Sequence, residues 1–128
     1  MKEIFNTTSR ADRQAVVVDW GRRAFGADHM ADKIVRAARF FEEAAELVQA
    51  IGLPAEHALR AFHHAYSREP GKPDQEVGGV AVTLYALCDA IGLSADQCEI
   101  TEINRCLSRP PEHFAERNRQ KLEQVDKS

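Results

Sequence analysis

The sequence predicts an all-α protein, a helical bundle of about five to six helices with a four-helix core. Three observations predict it. RFFEEAAELVQAIG, from Arg39 to Gly52, sets apolar residues at helical spacing. QEVGGVAVTLYALCDAIG, from Gln75 to Gly92, does so again and is apolar nearly all round through Leu87, as a helix covered by neighbours is. The punctuation AIGLPAE at residues 50–56 returns as AIGLSAD at residues 90–96. In both, Gly takes the left-handed position after a helix end, Leu packs back on the helix just left, and a new helix starts at once.

The elements follow in order. The first ten or so residues, with Asn6, Thr7, Thr8 and Ser9, form an arm leading to an N-cap. From about Ala11 to Phe25 the residues Val16, Val17, Trp20 and Phe25 have helical spacing, and Gly26 ends the run. Trp20 and Phe25 read as core. A long helix begins near Asp28 or His29 and runs to Ile51. Pro54 suits the first turn of the next helix, which runs from about Ala55 to Ser67 with Leu59, Phe62 and Ala65 or Tyr66 as its apolar stripe. REPGKPDQ, from Arg68 to Gln75, is a loop. Gly78 and Gly79 then fall inside a helical pattern. Together they cost about 2 kcal/mol relative to alanine, so close helix approach or room for a ligand beside Glu76 should offset them. Ser94 and Gln97 fit a capping box for a helix from Ala95 to about Leu107 that carries Ile100 and Ile103. After SRPPE a last, peripheral helix, about Pro111 to Gln124, has few anchors, Phe114 and Leu122. It packs on a partner chain or frays.

A chain of 128 residues is one domain by length, 1–128, large enough for a real core. Its 44% hydrophobic and 29% charged residues are ordinary for a globular protein. No apolar run approaches a membrane span, and MKEIFNTTSRADRQ lacks the apolar stretch of a signal peptide. The expectation is a cytoplasmic protein with no membrane partner. A net charge of −3 argues against a nucleic-acid-binding surface. Cys88, Cys98 and Cys106 are odd in number and lack C-x-x-C spacing, which suggests neither a disulfide framework nor a zinc site. His57, His63 and His64 lack the spacing of a zinc protease and read as ordinary helix residues.

Chemistry is carried by acids. Glu42, Glu43 and Glu46 fall within an arc of about 100° on their helix, while Phe41, Ala44, Ala45, Leu47, Val48 and Ile51 cover most of the rest. A solvated surface face explains such a helix equally well. Glu76 projects on the side of Val80, Thr83, Leu84 and Leu87, so it should point inward. An inward carboxylate must be protonated, hydrogen-bonded, paired or metal-bound. With three acids nearby, a shared Mg²⁺ is the economical answer, because hard oxygens suit it and a substrate's phosphates can complete its shell. The alternative for Glu76 is an N-terminal acid favoured by the macrodipole. Lys33, Arg36 and Arg39 lie at i, i+3 and i+6, either as ion pairs on an exposed face or as cations for the tail of a phosphate ligand.

The E-E-x-x-E of Glu42, Glu43 and Glu46, followed by E-V-G-G-V from Glu76 to Val80, resembles the all-α nucleoside triphosphate pyrophosphohydrolases, the MazG and dimeric dUTPase superfamily. The likeness runs from VDWGRRAFG at residues 18–26 to EINRC at residues 102–106 and is greatest to MazG-like members. It implies Mg²⁺-dependent cleavage of a nucleoside triphosphate between the α and β phosphates, giving a monophosphate and pyrophosphate, with Mn²⁺ as a possible substitute. It further implies Glu42, Glu43, Glu46 and Glu76 as metal ligands, with Glu43 or Glu46 handling the attacking water. Lys33, Arg36 and Arg39 become candidate phosphate contacts, and Asn104 matches a family asparagine near the nucleotide. A homodimer or homotetramer is implied as well. One position departs from the family: Gly79 stands where its E-x-x-D motif has Asp. That leaves the site one ligand short, so a nucleotide- or metal-binding regulatory protein on the same fold is the alternative.

Overall fold

The computed structural model describes residues 3–4, 8–110, 112–114, 116–117 and 119–121, and these form an all-α helical bundle with no strand among them. In chain order come α1 (Arg10–Phe25), α2 (Ala27–Ala31), α3 (Lys33–Ile51), α4 (Ala55–Tyr66), α5 (Pro73–Ala90) and α6 (Ala95–Leu107). Among the described residues no single helix is long and apolar enough to cross a membrane.

Local chemistry fixes most boundaries. Ser9 caps α1, its Oγ accepting the Asp12 N–H at 3.1 Å. Ser94 caps α6 in the same way through the Gln97 N–H at 3.2 Å. At the end of α3, Gly52 has φ +105°. Its N–H donates to the Gln49 carbonyl at 3.0 Å, and the Leu53 N–H donates to the Val48 carbonyl at 3.0 Å. Gly92 repeats the pair after α5 with φ +73°, Gly92 N–H to Asp89 O at 3.1 Å and Leu93 N–H to Cys88 O at 2.9 Å. Both are the expected Schellman stops.

Two boundaries differ from expectation. The long helix from Asp28 or His29 to Ile51 is divided at Asp32, whose ψ of 101° is extended. Aspartate is a weak helix-interior residue and a strong helix opener, and Asp32 stands immediately before α3. The loop expected through Gln75 ends earlier, because Pro73 opens α5 with its φ already set for a first turn. The Glu76 N–H donates to the Lys72 carbonyl at 2.9 Å.

The chain divides into two compact units, Lys33–Ala86 and Met1–Asp32 with Leu87–Ser128. The terminal unit holds the buried apolar residues Ile4, Ala24, Ile100 and Phe114. Trp20 meets Phe25 and Phe114 edge to face, with ring centroids 5.5 and 5.0 Å apart; Phe114 is buried, whereas Trp20 and Phe25, expected as core, are half-buried. The backbone at described positions between 112 and 121 is helical, while Pro111 and Leu122 of the expected last helix lie outside the described residues. Arg13 is buried and joins α1 to α6, donating to Asp96 and, at 3.2 Å, to Glu99. The amide of Asn104 clasps the backbone of Ile4, accepting its N–H at 2.8 Å and donating to its carbonyl at 2.9 Å.

The Lys33–Ala86 unit is built differently. None of its residues is buried. α3 and α4 pack together after the Gly52 turn, and Phe41 meets Phe62 edge to face at 6.1 Å. The expectation that α5 is a covered helix is corrected here: Val77 is 71% and Val82 68% exposed. The inward-pointing Glu76 is corrected with it, since Glu76 is exposed. The apolar residues exist as the sequence indicates, but none is fully buried; Ala81, Leu84 and Leu87 are half-buried.

Candidate functional site

Helical periodicity brings Glu42 and Glu46 together, because residues four apart stand one above the other. Both line an open groove of about 560 Å³ between α3 and α4. Its apolar lining combines Ala44, Ala45 and Val48 from α3 and Ala58 and Ala61 from α4 with the larger Phe41, Leu53 and Phe62. Glu43, turned about 100° from Glu42, is exposed and is not part of the lining. The first acid pair at this groove is therefore Glu42 with Glu46, where the resemblance pairs Glu43 with Glu46.

Arg39 lies one turn before Glu42 and donates from Nη1 to its Oε2 at 3.1 Å. Arg36 is half-buried and Lys33 exposed, each a further turn toward the start of α3. The i, i+3 pairing expected of this row is thus present at its end.

Glu76 sits in the first turn of α5, where a carboxylate is favoured by the helix dipole. Its carboxylate lies close over Gly71, where a Cβ on residue 71 would displace the Glu76 carboxylate. A side chain at Gly78 or Gly79 would meet nothing within 4 Å. The close helix approach expected to offset these two glycines is therefore not made within the described chain. Among the described residues no three His, Cys, Asp or Glu side chains come near enough to hold a metal ion. Glu42 and Glu46 both line the groove, and neither Glu43 nor Glu76 does.

Asn104 sits in the other unit with both ends of its amide engaged by Ile4. In this structure it is a structural clasp. Near it, Val17 and Trp20 of α1 and Glu102, Ile103, Cys106 and Leu107 of α6 line an apolar cavity of about 200 Å³. Hydrogen bonds from Arg105 hold the Glu102 carboxyl below its usual range.

The alanines of α4 are what sequence reasoning missed. The stripe expected there was Leu59, Phe62 and Ala65 or Tyr66, yet Leu59 is 56% and Tyr66 73% exposed. The groove instead takes Ala55, Ala58, Ala61 and Phe62. Their i, i+3, i+6, i+7 spacing was the available signal, hidden because alanine weighs little as a hydrophobe.

No family model matches the chain, and no curated protein or solved structure matches it.

Proposed function

We propose that the protein is a Mg²⁺-dependent nucleoside triphosphate pyrophosphohydrolase that yields a nucleoside monophosphate and pyrophosphate. The observation that carries this reading is the pair Glu42 and Glu46 on one wall of an open groove, with Arg39 held against Glu42. Two hard carboxylates suffice for a partly hydrated Mg²⁺ or Mn²⁺ whose shell a triphosphate completes, and about 560 Å³ is the size of a small-molecule site. The bound ion would neutralise the triphosphate and acidify a water molecule. Glu46 is suited to orient that water, with Glu43 as the other candidate base. Arg39, Arg36 and Lys33 offer positive charge to the phosphate tail, which favours an anionic ligand over a neutral one. The role goes with a cytoplasmic location and with a homodimer or homotetramer, since no described residue of α5 is fully buried in one chain.

A hydrolysis screen over standard and modified nucleotides, with products separated, tests the reading. Monophosphate and pyrophosphate should form with Mg²⁺ and disappear in Glu42→Gln and Glu46→Gln. No release from any nucleotide with Mg²⁺ or Mn²⁺ overturns it.

A second reading, a nucleotide- or metal-binding regulatory protein without turnover, is favoured by one observation. Gly79 supplies no ligand, and the space around it is open. Under this reading the native protein binds Mg²⁺ and nucleotide by calorimetry but is inert, and Gly79→Asp gains turnover. Absence of binding removes it.

A further inference from the structure

The helix α2 is five residues long, too short to persist on its own hydrogen bonds. Its N-cap, Gly26, brings no side chain to the first turn. The helix therefore depends on what it packs against, and that is α1. Ala27, Asp28 and Ala31 are exposed, which leaves the half-buried His29 and Met30 to make the contact. The His29 ring lies tilted against Phe25, with centroids 5.9 Å apart. Met30 makes the closer fit. Gly21 is buried in α1, and a Cβ on it would fall on the Sδ and Cε atoms of Met30. The end of the thioether occupies the place that any other residue would fill with its own side chain. An unbranched, flexible methionine suits so irregular a seat.

A thioether is also an apolar group that a mild oxidant makes polar in place. The sulfoxide adds an oxygen atom to a seat already filled to contact, where overpacking is destabilising. That oxygen then needs a hydrogen-bond donor, and backbone N–H groups inside α1 are spent on the helix's own ladder.

We propose that Met30 is a redox-sensitive latch, holding α2 against α1 as the thioether and releasing it as the sulfoxide. The oxidant is hydrogen peroxide. The sulfur lone pair attacks one peroxide oxygen and the O–O bond breaks. The departing hydroxide takes the proton from the new S–OH group, so sulfur is oxidised to the sulfoxide and the peroxide is reduced to water. A thiol-dependent sulfoxide reductase restores the thioether. α2 stands just before Lys33, where the chain passes from one compact unit into the other. Its release turns residues 26–32 from a docked segment into a plain connection between α1 and α3. The latch is independent of the nucleotide reading above.

Hydrogen exchange on the whole protein, read by mass spectrometry, tests the inference. The chain has two methionines, Met1 and Met30, so peptide mapping assigns the added oxygen directly. The reporters are the amides of Met30 and Asp32, which donate to the Gly26 and His29 carbonyls at 3.1 and 3.3 Å. After peroxide, and then dithiothreitol to restore oxidised thiols, these amides should exchange about tenfold faster. Those in the middle of α6 should keep their rate, and sulfoxide reductase should return the native one. Met30→Leu is apolar and inert to peroxide, so its exchange should not respond to treatment. Met30→Gln, polar from the outset, should exchange fast with no oxidant. Oxidised Met30 with unchanged exchange overturns the inference. So does a Met30 that resists peroxide at concentrations that oxidise free methionine. A Met30→Leu protein that loosens on treatment as much as the native one, or a Met30→Gln protein protected like it, overturns the inference as well.

Discussion

A guanidinium taken out of water must find its anions inside the protein, and Arg13 finds two. Its side chain is 8% exposed, against 55% for Arg10, which also approaches Glu99. Arg13→Met should therefore lower the thermal midpoint clearly more than Arg10→Met, since it removes the pairs to both Asp96 and Glu99, whereas Arg10 approaches Glu99 alone from an exposed position. Nothing in the sequence marked Arg13, because its partners stand 83 and 86 residues away. Asn104 was noticed for the resemblance, while its actual partner, Ile4, stands 100 residues away and was no more legible. Glu102 shows a charge effect of local origin. Hydrogen bonding from Arg105 is the largest cause of its depressed pKa, so Arg105→Ala should move the Glu102 titration upward by carboxyl NMR. A depressed folded pKa adds stability that is present above the unfolded value and fades as pH falls through the folded one. With the side chain 59% exposed, that contribution is small.

Helix ends were legible where a few consecutive residues hold the whole signal. The Ser94 cap and the two Gly-Leu stops needed no distant partner and stand as expected, and the cap expected after the N-terminal arm is made by Ser9. Ser9→Ala and Ser94→Ala should each destabilise by about 1 kcal/mol in urea titration. Gly52→Ala and Gly92→Ala should each cost about 1–2 kcal/mol, because their φ angles of +105° and +73° are left-handed for a residue with a Cβ. The break at Asp32 was less legible, since periodicity of apolar residues continues across a change of helix axis. The wall of α4 was missed because small residues leave little trace in a hydrophobic pattern.

At the scale of the molecule, the apolar character of α5 was read from its residues, but a sequence does not say which surface covers a face. A core completed by oligomerisation was expected, and among the described residues none of α5 is fully buried. The carboxylates were legible as residues and not as a gathered set, since their meeting depends on how helices are placed. If copies of the chain supply the cover, the thermal midpoint should rise with protein concentration. Gly79→Leu should strengthen the isolated helix by about 1 kcal/mol yet weaken assembly in sedimentation. The clasp of Asn104 on Ile4 offers a different kind of readout. Ile4 belongs to none of the helices, yet its amide proton is bonded to a residue 100 positions away. Its deuterium uptake should keep pace with the slowest amides of α6, making one peptide proton near the N-terminus a clock for opening at the other end of the chain.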